Sequence, residues 1–285
     1  MTRISLQDRR TRLLGPNVRL FYDHPVHLVR GLGTWVWDAD GRKYLDCYNN
    51  VPHVGHCHPA VVAAITAQAS LLNTHTRYLH EGILDYVERL TATFGPQITS
   101  AIMVCTGSEA NDLALRMAQA ATGRTGTIAT DHTYHGNTAA VSQLSTTMPP
   151  IGGFGGRVRH VPAPDSYRPL APDAFTQAVE NACRSLTASG HGVSGMILCP
   201  FFVNEGFPNL PPGFLDGAIA AVRNHGGVII ADEVQPGFGR LGSHFWGHQR
   251  AGFAPEIVTM GKPMPFGIPE ADLLLQVLDD VLTAL

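Results

Sequence analysis

At 285 residues and 44% hydrophobic content, the chain can bury a substantial core, and its length suits one main domain with an appendage. Its 20 basic and 23 acidic residues, for a formal net charge of −3, leave neither a broad basic surface for nucleic acid nor an acidic tail. No apolar stretch approaches a membrane span and the charged N-terminus lacks the apolar run of a secretory signal, so a soluble, cytoplasmic protein is expected.

Residues 1 to about 20 read as a polar arm. Residues 26–30 and 34–37 then alternate in a β manner around Gly31 and Gly33, with Asp38-Ala39-Asp40-Gly41 as a hairpin turn, which predicts a small N-terminal β element. An amphipathic helix is expected from Pro59 to about Leu72, and a second from Gly82 to about Phe94, where Leu84, Val87 and Leu90 recur at helical spacing. From there the rhythm changes to short apolar runs at 101–105, 126–130, 158–161, 196–199, 228–232 and 257–260. Helical segments at 111–121, 173–186 and 215–224 lie between them. Strands alternating with helices predict an α/β fold, a mainly parallel sheet covered on both faces. Cys47, Cys57, Cys105, Cys183 and Cys199 are odd in number and scattered, mostly in apolar or strand-like context, and read as reduced core thiols.

Three of the strand-like runs end in residues suited to chemistry. Lys262 stands in Thr259-Met260-Gly261-Lys262, just past one run, and Asp232-Glu233 closes another. A lysine that forms a Schiff base with pyridoxal phosphate needs an acid to keep the pyridine nitrogen protonated, so that the ring can act as an electron sink. Asp232 is placed for that. Thr106-Gly107-Ser108-Glu109-Ala110-Asn111 follows the run at 101–105 and opens a helix, where backbone amides and the helix dipole would grip a phosphate. Singly, each element has an ordinary reading: a solvated lysine, an aspartate helix cap, a strand-to-helix turn with serine as N-cap. The ordered set favours function, because ligands of open parallel sheets bind outside the carboxyl ends of the strands. His53, His56 and His58 around Cys57 raise zinc as an alternative. They precede the helix start at Pro59, and no second Cys or His group has ligand spacing, so no metal is assigned.

The chain also resembles a known family over about residues 20–264. The carrying motifs are Asn49-Asn50-Val51-Pro52-His53-Val54-Gly55-His56-Cys57-His58-Pro59, Gly107-Ser108-Glu109-Ala110-Asn111-Asp112, Tyr134-His135-Gly136, Asp232-Glu233-Val234-Gln235-Pro236-Gly237-Phe238-Gly239-Arg240 and Met260-Gly261-Lys262-Pro263. In these it is similar to the class III pyridoxal-phosphate aminotransferases of fold type I, in wording nearest the branch of alanine-glyoxylate aminotransferase 2 and the ethanolamine-phosphate phospho-lyases. The resemblance implies that Gly107 and Ser108 hold the cofactor phosphate, Tyr134 and Val234 cover the two faces of the pyridine ring, and Asp232 pairs with its nitrogen. It further implies that Gln235 reaches the phenolic oxygen, that Glu205 is the family's glutamate following a strand, and that Lys262 carries the cofactor and shuttles a proton. A homodimer acting on a small amino donor and a 2-oxo acid acceptor is implied as well.

The expected organisation is therefore an arm and β element at 1–58, a cofactor-binding large domain at 59–264, and a C-terminal helix remnant at 265–285. Family members run well beyond the lysine, whereas here Pro263-Met264 leads straight into Pro265-Phe266-Gly267 and a final helix at 269–285. An internal deletion is expected, removing an antiparallel strand of the sheet, a threonine for the neighbouring subunit's phosphate and an arginine for the substrate carboxylate. Three functional readings follow: an aminotransferase, a phospho-lyase on a phosphorylated amine, or a remnant that only binds cofactor.

Overall fold

The computed structural model describes residues 5–18, 20, 22–48 and 52–262; the expected final helix at 269–285 lies outside the described residues, as do Asn49, Asn50 and Val51. The arm contains a helix that its polar composition did not suggest, α1 (Leu6–Leu14). Ser5 caps it by accepting the Asp8 amide proton, and Gly15 ends it at φ 84. None of its residues is buried, so local contacts support it: the cap at Ser5 and the Arg10 side chain, which donates to the Val18 carbonyl.

The N-terminal β element has three antiparallel strands, β1 (Leu28–Leu32), β2 (Trp35–Asp38) and β3 (Lys43–Leu45), one more than the alternation indicated. The turn at 38–41 forms because Asp38 Oδ1 accepts from the amides of Asp40 and Arg42 at 3.0 and 2.8 Å, while Tyr44 donates to Oδ2 at 2.6 Å. A two-way backbone bridge between Gly33 and His56 joins this sheet to the histidine-rich segment. It requires glycine at 55, where a Cβ would stand 2.9 Å from Gly33 Cα. The two expected helices follow as α2 (Pro59–Leu71), with proline in its first turn, and α3 (Glu81–Thr91), which buries Tyr86 and Leu90.

The main sheet has five parallel strands in the order β5-β4-β6-β7-β8: β4 (Gly126–Thr130), β5 (Val158–Val161), β6 (Val193–Leu198), β7 (Val228–Asp232) and β8 (Ile257–Thr259). Its side chains alternate between two cores. Met196, Leu198 and Ile229 face α5 (Pro172–Ala188) and α6 (Asp216–Asn224), meeting Phe175, Val179 and Val222. Ile197 and Ile230 face the other way, against Ala114, Leu115 and Ala118 of α4 (Gly107–Thr122). Burial on both faces accounts for the continuous apolar runs. A short helix, α7 (Gly247–Ala251), follows β7.

The run at 101–105 is not a strand. It is extended but has no ladder partner, and a groove of about 220 Å³ separates residues 101–104 from β8, leaving Ile102 62% exposed. The apolar pattern is that of a strand; the backbone partner is missing among the described residues, and without it no ladder forms. The same lack of cover leaves Cys105 exposed. Cys47 and Cys57 are exposed too, so only Cys183 and Cys199 match the expectation of core thiols. Among the described residues no helix is long and apolar enough to cross a membrane.

Candidate active site

The carboxyl ends of the parallel strands and the amino end of α4 converge on one cavity of about 190 Å³. All eight residues singled out from the sequence line it: Gly107, Ser108, Tyr134, Glu205, Asp232, Val234, Gln235 and Lys262. Most arrive at or just past a strand end or at a helix start, while Tyr134 and Glu205 stand in the loops after β4 and β6. Asp232 is the last residue of β7, Lys262 follows β8, and Gly107 and Ser108 form the first turn of α4. That turn is capped by Thr106, whose Oγ1 accepts from the Glu109 amide at 3.1 Å, while Glu109 accepts from the Cys105 amide at 2.7 Å. The serine is thus not the cap, and the amides of Gly107 and Ser108 remain available at the positive end of the helix dipole. Close approach here depends on glycine. A Cβ on Gly107 would stand 3.1 Å from the Val234 methyls, and one on Gly136 would fall 2.6 Å from Ser108 Oγ.

Asp232 is held by a buried polar network that sequence reasoning did not resolve. Its Oδ2 accepts from Asn111 Nδ2 at 2.9 Å and from His135 Nδ1 at 2.6 Å, and its Oδ1 accepts from the Val234 amide at 3.0 Å. Asn111 also donates to the His135 carbonyl at 2.7 Å and accepts from Thr259 Oγ1 at 2.6 Å. His135 Nε2 meets Thr133 Oγ1 at 3.0 Å. Asn111 and His135 both stand inside the quoted motifs, yet their partners are distant in the chain: Thr259 reaches Asn111 across 148 positions. The donors fix the carboxylate on three sides and orient it.

Burial lowers the pKa of Lys262, with the charge of Asp232 opposing the shift and that of Arg240 adding to it. A lowered lysine pKa increases the fraction of free amine near neutrality, the form that attacks a carbonyl. Burial also pushes the Cys199 thiol on the cavity wall well up, with Asp232 adding to the effect, so the thiol stays protonated and inert. Glu205 accepts from Thr130 Oγ1 at 2.7 Å through Oε1, while its buried Oε2 has no partner. These features fit a phosphorylated, aldehyde-bearing pyridine: helix amides for the phosphate, a fixed carboxylate for the ring nitrogen, an amine for the aldehyde, and a buried acceptor left open.

The histidines do not converge. His53 meets the Gly237 carbonyl and Arg240, His56 pairs with Asp46 at 2.8 Å, and His58 Nδ1 is buried without a partner. Among the described residues no three His, Cys, Asp or Glu side chains are grouped to hold a metal ion.

Comparison with known proteins agrees with this chemistry. The model of the family aminotransferase class-III matches residues 21–277. A Drosophila melanogaster protein named alanine-glyoxylate aminotransferase 2-like is 40% identical over 277 residues, which cover 91% of this chain and 56% of the relative. A Caenorhabditis elegans protein named ethanolamine-phosphate phospho-lyase homolog 1 is 34% identical over 283 residues, covering 92% of this chain and 60% of the relative. Among solved structures, a phospholyase from Arthrobacter in complex with phosphoethanolamine matches with a TM-score of 0.91 at 39% identity, over 97% of this chain and 75% of that one. The chain thus spans little more than half the length of these curated relatives. On the family match and these identities, the chain belongs to the class III aminotransferases, a pyridoxal-phosphate-dependent family of fold type I.

Proposed function

We propose that this chain is a pyridoxal-phosphate-dependent aminotransferase that moves an amino group from an amino acid or amine to a 2-oxo acid or aldehyde. The observation that carries the reading is the meeting of Lys262, Asp232 and the α4 amino terminus in one cavity. Bound pyridoxal phosphate supplies an aldehyde for Lys262 and a ring that accepts electron density from the substrate's α-carbon. Gly107 and Ser108 would hold the phosphate through their amides, and Asp232, clamped by Asn111 and His135, would face the ring nitrogen and favour its protonated form. Val234, whose methyls lie against Gly107 and Gly261, would cover one ring face and Tyr134 the other. Gln235 and Glu205 bind the ring oxygen and its surroundings. Lys262, with its lowered pKa, moves the proton at the α-carbon.

A second reading is a phospho-lyase releasing ammonia and phosphate from a phosphorylated amine. It is favoured by the likeness to the Arthrobacter phospholyase, whose TM-score is well above chance at 39% identity. Loading the purified chain with pyridoxal phosphate and supplying an amino donor should give pyridoxamine phosphate, reversed by a 2-oxo acid. Release of inorganic phosphate from phosphoethanolamine without that product would select the lyase. Failure of both reactions in a chain that retains cofactor would leave only the remnant reading. Asp232→Asn should reduce turnover far more than cofactor retention; equal loss of both in a folded variant would contradict the role given to Asp232.

The assembly proposed is a homodimer. Large apolar side chains stand exposed between residues 28 and 104, Leu79 wholly so and Leu28, Val29, Leu45 and Leu84 by about half. Sedimentation that shows only monomer at micromolar concentration would contradict it.

A further inference from the structure

The N-terminal sheet has two unlike faces. Gly31, Val36 and Tyr44 stand opposite one another across β1, β2 and β3, and that face is packed. Val36 is buried, and a Cβ on Gly31 would fall 2.7 Å from Cγ of the His56 ring. The other face is formed by the row Leu32, Trp35 and Leu45 and the row Arg30, Trp37 and Lys43. On it Leu32, Trp35 and Leu45 are 49%, 39% and 55% exposed. An antiparallel sheet that turns one face to water places polar side chains there, whereas this one places two leucines and two tryptophans. Its two cations lie against the same apolar surface, Arg30 4.5 Å over the Trp37 ring and Lys43 3.8 Å over the Trp35 ring. Among the described residues neither pairs with a carboxylate. Such a face is complementary to an apolar cover that carries negative charge.

One segment of this chain has that character. Residues 269–285, which lie outside the described residues, include Glu270, Asp272, Asp279 and Asp280 and no Lys, Arg or His. In the helix that the sequence predicts there, Leu274, Val277, Leu278, Val281 and Leu285 fall on one stripe. The segment is also tethered beside the sheet. Lys262 shares its cavity with Val234 and Gln235, and the same turn continues to Gly237, whose carbonyl meets His53 Nε2 at 3.2 Å. Three residues on, His56 bridges to Gly33, between β1 and β2. Residues 263–268 connect Lys262 to the segment and span up to about 20 Å when extended. A short tether of this kind gives an effective concentration on the order of millimolar, above that of a separate molecule at micromolar protein.

We propose that the acidic, apolar segment 269–285 docks on the face of the N-terminal sheet formed by Leu32, Trp35 and Leu45 of its own chain, with Arg30 and Lys43 meeting its carboxylates. Leu79 and Leu84 lie outside this sheet and remain exposed for a second copy.

The test is acrylamide quenching of tryptophan fluorescence in the full chain. Of the three tryptophans Trp246 is fully buried, so the quenchable emission reports on Trp35 and Trp37. Leu274→Asp combined with Leu278→Asp should release the segment and raise the Stern–Volmer constant at least about twofold, while the constant of the parent should not change on dilution. If the aspartates unfold the chain, a charge exchange decides the matter. Lys43→Glu should raise the constant, and adding Asp279→Lys and Asp280→Lys to it should bring the constant back toward that of the parent. A released variant that is quenched no more than the parent, or a charge exchange that restores nothing, would overturn the proposal. Protection of the parent that is lost on dilution would overturn it as well, by assigning the cover to a second copy.

Discussion

Asn111 makes the clearest case that single side chains hold this site. Its amide bridges Asp232, the His135 carbonyl and Thr259, and it is 1% exposed. Replacing it with leucine keeps the volume roughly constant but leaves the His135 carbonyl and the Thr259 hydroxyl without partners. At about 1 to 3 kcal/mol for each of the two buried unsatisfied groups, Asn111→Leu should lower stability by about 2 to 6 kcal/mol, measured by urea unfolding. A loss below about 1 kcal/mol would mean that water or repacking satisfies them. His53 gives a pH-dependent prediction. Its folded pKa of about 4 lies below the ordinary 6.5, so the unfolded chain binds more protons between those values. The stability it contributes is fully present above pH 6.5 and is lost as the pH falls through about 4. His53→Gln should therefore flatten the decline of the urea midpoint over that interval; an unchanged profile would show that His53 titrates normally in the folded chain.

Among the elements, strand ends and helix starts were the most legible in the sequence. Asp232 closing an apolar run and Thr106-Gly107-Ser108 opening a helix are local signals, and each stands where its neighbours along the chain put it. The run at 101–105 shows the limit. Its residues have strand character, but a ladder is a property of two segments, and the nearest strand lies across the groove at β8. The helix α1 was missed for the opposite reason: local capping contacts at Ser5, Asp8 and Gly15 organise a segment that buries no apolar residue. Likewise, the clamp on Asp232 joins residues from α4, β7 and β8, which no local pattern brings together. Two predictions belong to this scale. Among the described residues β8 is bonded to β7 alone, whereas β6 lies between β4 and β7. Amide hydrogens of β8 should exchange faster than those of β6, and equal protection would mean that the outer edge of β8 is covered. Gly107→Val should weaken cofactor binding at least tenfold, because the new side chain would press on Val234, read by cofactor loss on dialysis; unchanged retention would show that the helix start can shift without consequence.

At the level of the whole molecule, the sheet brings one fixed carboxylate, one helix amino terminus and one half-buried lysine to the same end, and the proposed chemistry depends on all three being present together. The chain contains two lysines, which makes this arrangement unusually easy to test. Lys43 lies in the N-terminal sheet with its ammonium 3.8 Å over the Trp35 ring, away from any strand end of the main sheet. Its charge is favoured there by the aromatic face. Lys262 is half-buried at the strand ends, with its pKa lowered. The most direct measurement is to load the full chain with pyridoxal phosphate, reduce it with borohydride and map the adduct by peptide mass spectrometry. The account predicts one pyridoxyl group per chain on Lys262, and none when Lys262→Ala is treated in the same way. An adduct on Lys43 alone, or cofactor retained without any reducible link to Lys262, would contradict it.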